Sequence, residues 1–150
     1  MGSGRNPAEA TVADVMTTTP TVLHGDDRMG RAAREMEIGL FRHLPVVDRR
    51  GHLVGLVSHR DVVGARARPV RVVADAMQTD VKTVGPETPA HEAAYLLLRH
   101  KIGCVPVVDA QGRLVGIVTE SDFVRVAYSL FGGRVPVGQL ELEEDEANRV

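Results

Sequence analysis

One unit occurs twice in this sequence, and that internal repeat restricts the possible folds more than any other feature. Residues 12–16 read VADVM and residues 73–77 read VADAM, while LPVVD at 44–48 returns as VPVVD at 105–109. The same offset also aligns 51–58 with 112–119 and Asp61 with Asp122. About a third of the paired positions are identical over roughly 50 residues, which is far above chance in a fixed register. The chain therefore contains two copies of one structural unit.

The length of the chain limits how independent the two copies can be. A chain of 150 residues fits one ordinary domain, or two very small units that share a core because neither buries enough apolar surface alone. The sequence is 43% hydrophobic but only 3% aromatic, so the core consists of aliphatic side chains. We expect two halves that depend on each other.

Each copy shows the same order of elements. The expected order is a short helix at 10–16 or 72–77, a strand at 21–23 or 82–84, a helix, a strand at 44–47 or 105–108, a turn, a strand at 53–57 or 114–118, and a final helix. The first long helix has apolar residues at i, i+3, i+4 and i+7. These positions are Met29, Ala32, Ala33 and Met36 in copy one and Ala90, Ala93, Ala94 and Leu97 in copy two. The unit is β-α-β-β-α, and the fold class is α/β (α+β).

Turn and cap residues mark the boundaries. Asp26 or Asp27 is expected to cap the first long helix, and Thr88 to cap its twin with Pro89 at the first helical position. The predicted organisation is a disordered start at 1–9, copy one at 10–66, a linker at 67–71, copy two at 72–131 and a solvated acidic tail at 132–150. Residues 2–4 fit either an expression scar or a native start.

Several function classes are disfavoured. The net charge of −2 gives no general attraction to nucleic acid or to an anionic membrane, and few aromatic residues are available to stack on bases. Without an apolar span or signal peptide, a cytoplasmic location is expected. The six histidines lack ligand spacing, so no metal is predicted, and no catalytic constellation is evident. Frequent use of Arg over Lys is typical of a GC-rich bacterial genome.

The candidate site is a motif that occurs where a strand becomes a helix in each copy, at residues 55–61 and 116–122. Ser or Thr with an acid three positions later is a helix-capping pattern. The same geometry offers N–H donors to an anion, and an ionised carboxylate can accept both hydroxyl protons of a ribose cis-diol. Gly55 and Gly116 would let a ligand approach the backbone, or mark a bulge. The residues leave both interpretations open.

On these motifs, residues 12–124 resemble tandem cystathionine-β-synthase (CBS) repeats, with Gly-apolar-apolar-Ser/Thr-x-x-Asp intact in both copies. The resemblance covers about three quarters of the chain. It implies two pseudo-symmetric β-α-β-β-α repeats packed through their sheets. It also implies a cleft that binds AMP, ADP or ATP, S-adenosylmethionine, or occasionally NAD, with no catalytic cofactor.

The resemblance implies two composite sites, each built from both copies. One site would combine Thr119 and Asp122 with Thr17, Thr21, Val22, Phe41, Arg42 and His43. The other would combine Ser58, Arg60 and Asp61 with Gln78, Lys82, Thr83, Ile102, Gly103 and Cys104. In such sites the Ser or Thr approaches phosphate and the Asp binds ribose. The backbone near His43 or Cys104 would read the adenine edge, while Phe41 or Ile102 would cover its face.

The two sites are not expected to be equivalent. Arg60 and Lys82 belong to the site of Asp61, whereas Arg42 is the only evident cation in the other, so we predict that a polyphosphate prefers the site of Asp61. The alternative is that Arg60 and Lys82 simply extend into water.

The expected mechanism is a conformational or oligomeric response to a ligand that binds one state better. A homodimer is predicted through an apolar helix face of Val62, Val63, Val124, Ala127 and Leu130; the regulated protein is not identified by the sequence. One alternative is a ligand-free interaction or dimerisation module, and another is the regulatory part of a larger enzyme or transporter. A third, redox sensing through Cys104, requires an exposed, ionised thiol.

Overall fold

The structure is a computed structural model and describes residues 6–134 of the chain. The helices are α1 (Val12–Val15), α2 (Met29–Gly39), α3 (His59–Ala65), α4 (Ala90–His100) and α5 (Glu120–Leu130). The strands are β1 (Thr17–Thr18), β2 (His43–Val47), β3 (Leu53–Ser58), β4 (Cys104–Val108) and β5 (Leu114–Thr119). Two 3-10 turns span Pro7–Glu9 and Val73–Asp75. The remainder of the predicted disordered start, and the predicted acidic tail from residue 135, lie outside the described residues.

Each copy contains one antiparallel hairpin, β2 with β3 and β4 with β5. In the first turn, the Asp48 carboxylate accepts hydrogen bonds from the backbone N–H groups of Arg50 and His52, both at 2.9 Å. Gly51 has φ of 83°, as does Gly112 in the twin turn, and a side chain at this φ would be strained. The expected turns are therefore confirmed.

The prediction of a first strand in each copy, at 21–23 and 82–84, is wrong. Leu23 makes only a single parallel bridge, to Val46, and Val84 makes only the equivalent bridge to Val107. The strand ends there because the N–H of His24 donates to the Asp27 carboxylate at 2.8 Å, which turns the chain towards α2. The pairing residues in copy one are instead those of β1, which lies antiparallel to β5.

Both helix starts differ from the prediction. The N-cap of α2 is Arg28, not Asp26 or Asp27, because Asp27 uses its carboxylate on the preceding turn. The N-cap of α4 is Pro89. Thr88 does not cap it, because its hydroxyl accepts a hydrogen bond from the N–H of Gly85 at 3.1 Å. Both turns therefore satisfy their own donors before the helix begins.

The segment that begins each copy packs into the core of the other copy. Val12, in copy one, is fully buried among Ala93, Leu97 and other residues of copy two. Val73, in copy two, is fully buried within the core of copy one. Backbone hydrogen bonds between the copies hold both segments in place. The N–H of Val12 donates to the carbonyl of Thr88, and the N–H of Val73 donates to the carbonyl of Asp27, each at 2.8 Å. Neither core is complete without the other copy.

The two hairpins also meet just after their turns, at the starts of β3 and β5, in a pseudo-symmetric manner. The N–H of Leu53 donates to the carbonyl of Gly112 at 3.1 Å, and the N–H of Leu114 donates to that of Gly51 at 3.0 Å. These equivalent bonds confirm two pseudo-symmetric repeats that are joined through their strands.

Three of the five residues of the predicted apolar helix face are exposed, and Ala127 is half-buried. Val63, Val124 and Leu130 are 49%, 66% and 54% exposed, whereas Val62 is only 5% exposed and packs in the core of copy one. Val62 therefore does not belong to an outer surface; it follows Asp61 on the inward face of α3. No helix within residues 6–134 has the length and apolarity needed to cross a bilayer.

Candidate functional site

Both sequence motifs form helix caps. The N–H of Asp61 donates to the Ser58 hydroxyl at 3.2 Å, and the N–H of Ser58 donates to the Asp61 carboxylate at 2.8 Å. Thr119 and Asp122 repeat this reciprocal pair at 3.3 and 2.8 Å. The capping interpretation is therefore correct in both copies. Capping uses only part of the acceptor capacity of a carboxylate, so it does not exclude a ligand.

Each motif carboxylate is contacted by the opposite copy. The Thr17 hydroxyl donates to Asp122 Oδ1 at 2.9 Å, and Gln78 Nε2 donates to Asp61 Oδ1 at 3.2 Å. The backbone positions these side chains, because Gln78 exchanges two hydrogen bonds with Leu56, at 2.8 and 2.9 Å. Thr17 pairs equivalently with Ile117. The structure thus brings together one residue of each copy at both predicted sites.

The glycines of the motif accommodate protein and not ligand. A Cβ at Gly55 would lie 2.6 Å from Met77 Sδ and 2.9 Å from the carbonyl oxygen of Gln78. A Cβ at Gly116 would lie 2.7 Å from Met16 Sδ and 2.9 Å from the carbonyl oxygen of Thr17. The hypothesis that these glycines admit a ligand is therefore wrong at both positions, because the other copy fills the space.

His43 lies where the two copies meet. A Cβ built on Gly103 would be 2.4 Å from His43 Cε1, so the imidazole lies directly against the Gly103 backbone. Burial lowers the pKa of His43 below its usual 6.5; the charge of Asp61 opposes this shift, Arg42 adds to it and Glu120 opposes it. His43 is thus near the carboxylate of Asp61 as well as the helix of Asp122, to whose site the resemblance assigns it.

Cys104 occupies the position in copy two that His43 occupies in copy one. Its side chain is 2% exposed, and burial raises the pKa of the thiol to about 12. A protonated, inaccessible thiol does not react with oxidants, which overturns the redox-sensing alternative. Any contact of Cys104 with a ligand would come from its backbone.

The other predicted site residues are less constrained. Phe41, Arg42, Arg60, Lys82 and Thr83 are exposed, and Thr21, Val22 and Ile102 are half-buried. The carbonyl of Arg42 accepts from the N–H of His59 at 2.8 Å. Among residues 6–134, the side chains of Arg60 and Lys82 make no hydrogen bond and no ion pair. Both cations are therefore available to a ligand or to water.

One site residue was missed by the sequence analysis. Arg125 Nη1 lies 3.1 Å from Asp122 Oδ1 and forms an ion pair in which the side chains are 39% and 4% exposed. Arg42 is therefore not the only cation of that site, and the prediction to that effect is wrong. The signal was present, because Arg and Asp three positions apart on a helix share a face. The twin position in α3 is Gly64.

A cavity of about 740 Å³ opens on the flank of copy two. It is lined by Thr83, Val84, Gly85, Pro86, Glu87, Thr88, Glu92, Tyr95, Leu96, Val108, Asp109 and Ala110. Thr83 is the one predicted ligand residue in this lining, so the cavity is distinct from the two motif carboxylates. Within residues 6–134, no cluster of three or more His, Cys, Asp and Glu could hold a metal ion.

Comparisons with known proteins agree with this architecture. The CBS domain family matches residues 12–68 and 73–129. CBSX2 of Arabidopsis thaliana, solved with AMP, is 32% identical, with a TM-score of 0.74 over 80% of this chain and 97% of that one. The CBS domain pair of protein MJ0100, solved with 5′-methylthioadenosine and S-adenosylmethionine, is 33% identical, with a TM-score of 0.73 over 83% and 97%.

Larger proteins also contain a similar unit. The cytosolic domain of the Mg²⁺ channel MgtE, solved with ATP, is 31% identical, with a TM-score of 0.69 over 79% of this chain and 49% of that one. The first curated relatives are a sulfurtransferase, an acetyltransferase and a dehydrogenase, and the chain spans only 22 to 24% of their length.

Proposed function

Because this chain belongs to the CBS domain family and carries two CBS repeats, we propose that it is a regulatory module that binds an adenine nucleotide between the repeats. The observation that carries the proposal is the pair of composite sites. Each helix-capping carboxylate receives a side chain from the opposite copy, through Thr17 at Asp122 and Gln78 at Asp61. A ligand held by either carboxylate would therefore contact both copies.

The ligand class is supported by the solved relatives. Similar CBS pairs bind AMP, ATP, 5′-methylthioadenosine and S-adenosylmethionine, and these molecules share an adenosine moiety. In our proposal Asp61 and Asp122 each accept from the ribose hydroxyls, while Ser58 and Thr119 approach the phosphate. The adenine lies against the backbone near His43, with Phe41 covering its face, or near Cys104, with Ile102 covering its face.

The two sites would differ in their preference for phosphate. Arg60 and Lys82 are exposed beside the site of Asp61 and make no ion pair with described residues. Both are free to approach a charged ligand, so we propose that ATP and ADP prefer this site. At the other site Arg125 is already paired with Asp122.

The module itself would catalyse no reaction and would act in the cytoplasm by changing shape or assembly. A bound nucleotide shifts an equilibrium only by its difference in affinity for the two states. The exposed side chains of Val63, Val124 and Leu130 would form the contact surface of a homodimer. Because relatives of greater length contain a similar unit, the regulated protein is either a fused enzyme or transporter, or a separate partner.

The second candidate is a ligand-free interaction module. It is favoured by the capping boxes, which are complete without any ligand. In this case the motif serves only to start α3 and α5.

The two candidates are separated by thermal unfolding with AMP, ADP, ATP, S-adenosylmethionine and NAD. A ligand at about 100 times its dissociation constant adds roughly 2.7 kcal/mol of stability. We expect at least one of these ligands to raise the melting temperature, and we expect Asp61→Asn to reduce the shift. Glu37→Gln, on the exposed surface of α2, is the matched control. No shift with any of the five would favour the interaction module.

A further inference from the structure

The two motif carboxylates differ in how many hydrogen bonds they accept. Among the described residues, Asp61 accepts one hydrogen bond on each oxygen, from the N–H of Ser58 at 2.8 Å and from Gln78 Nε2 at 3.2 Å. Asp122 Oδ1 accepts from the Thr17 hydroxyl and from Arg125 Nη1, at 2.9 and 3.1 Å. Its Oδ2 accepts from the N–H and the hydroxyl of Thr119, at 2.8 and 3.1 Å.

This difference decides how much acceptor capacity is left for a ligand. An ionised carboxylate offers about four acceptor positions, two on each oxygen. Asp61 therefore retains one position on each oxygen, which is what the two hydroxyls of a cis-diol require. Asp122 has none left, and a diol can bind there only after two of the present donors leave.

Arg125 is the most difficult of these donors to displace. A hydrogen bond between a guanidinium and a carboxylate is charge-assisted and roughly twice as strong as a neutral one. The Thr119 hydroxyl, by contrast, only has to rotate about its C–O bond to release Oδ2. The twin of Arg125 is Gly64, which has no side chain with which to occupy Asp61.

We propose that Arg125 occupies the diol-binding side of Asp122 in the ligand-free protein, so that the two sites fill in order and the site of Asp61 fills first. This inference rests on the proposed function, since it concerns how a ribose reaches the same two carboxylates. Arg125 acts on specificity through Asp122 and makes the repeats unequal where their backbones are alike.

The test uses 5′-methylthioadenosine, which has the cis-diol but no phosphate that Arg125 could bind instead. Isothermal titration calorimetry of the wild-type chain should show one tight and one weak site, with the tight one lost in Asp61→Asn. Arg125→Met should strengthen the weak site by about tenfold, equivalent to about 1.4 kcal/mol. Ser129→Ala, at an exposed position of the same helix outside the motif, should leave both affinities unchanged.

The reciprocal variant tests the same idea without altering Asp122. A Cβ at Gly64 would meet only the end of the Arg68 side chain, at 3.8 Å, so Gly64→Arg fits on α3. It should place a guanidinium near Asp61 and weaken the tight site by a similar factor, whereas Gly64→Ala should not.

The outcomes distinguish this inference from the function on which it rests. Two equal affinities in the wild type, or no strengthening in Arg125→Met together with no weakening in Gly64→Arg, would overturn the inference and leave nucleotide binding intact. Failure of 5′-methylthioadenosine, AMP, ADP, ATP, S-adenosylmethionine and NAD to bind the wild type would overturn both.

Discussion

The sites of Asp61 and Asp122 have the same backbone geometry, but the two carboxylates differ in their burial and in their side-chain partners. Both carboxylates complete a capping box and both receive a side chain from the opposite copy. Yet Asp122 is 4% exposed and paired with Arg125, while Asp61 is half-buried and has no ion-pair partner among the described residues. The comparison teaches that repetition preserves the geometry of a site, whereas a few unmatched side chains change its charge and the number of acceptor positions left on its carboxylate.

The largest expected effect is on stability, which should fall more when Asp122 is replaced than when Asp61 is replaced. Asp122→Ala should lower the free energy of unfolding by roughly 2 to 3 kcal/mol, because it removes a cap worth about 1 kcal/mol and the hydrogen bonds from Thr17 and Arg125, each worth about 0.5 to 1.5 kcal/mol net. Asp61→Ala should cost about 1 kcal/mol, because beyond the cap it removes only the solvent-exposed hydrogen bond from Gln78. Urea denaturation of both variants measures the difference.

The ion pair with Arg125 is partly solvated, so it contributes only part of this value. Arg125→Met should therefore be less destabilising than Asp122→Ala. Equal losses in Asp61→Ala and Asp122→Ala would show that the extra hydrogen bonds of Asp122 contribute nothing to stability.

The next effect should be the same in both copies. Gly55→Ala and Gly116→Ala should each destabilise the fold by about 2 kcal/mol, because the added methyl group meets a methionine sulfur and a carbonyl oxygen of the other copy. Gly30→Ala, where a Cβ meets nothing within 4 Å, should be neutral or stabilising. Different losses of stability in Gly55→Ala and Gly116→Ala would contradict the expectation that the opposite copy packs equivalently against the two glycines.

The smallest effect concerns the pair His43 and Cys104. The pKa of His43 is below 6.5 in the folded protein, chiefly because of burial, so the unfolded chain takes up the proton first as the pH falls. The stability from a neutral His43 is therefore complete above about pH 6.5 and is lost as the pH falls through the folded-state pKa. Cys104, with a pKa of about 12, contributes no change in this range.

Stability measured by urea denaturation between about pH 7.5 and pH 5 should therefore fall less steeply in His43→Asn than in the wild type. His91→Asn, at an exposed position of α4, is the control. An identical pH profile in His43→Asn and the wild type would contradict this role of His43.

Much of the fold could be predicted from the sequence because it depends on local chemistry. The repeat, the two hairpins with Gly51 and Gly112 in their turns, and the caps at Ser58 and Thr119 all follow from residues close together in the chain. The first strand of each copy and the starts of α2 and α4 could not be placed in this way. There the side chains of Asp27 and Thr88 bind backbone groups of the preceding turn, and several local partners compete.

The candidate site shows the same division. The sequence by itself determined that there are two copies, that each carries a carboxylate at a helix start, and that Thr17 and Gln78 belong with the opposite copy through the resemblance. Only the tertiary structure decided that Val12 and Val73 each pack into the core of the other copy, and that the other copy fills the space beside Gly55 and Gly116. The reason is physical: capping and turn patterns act over three or four residues, whereas these contacts depend on how two distant segments pack.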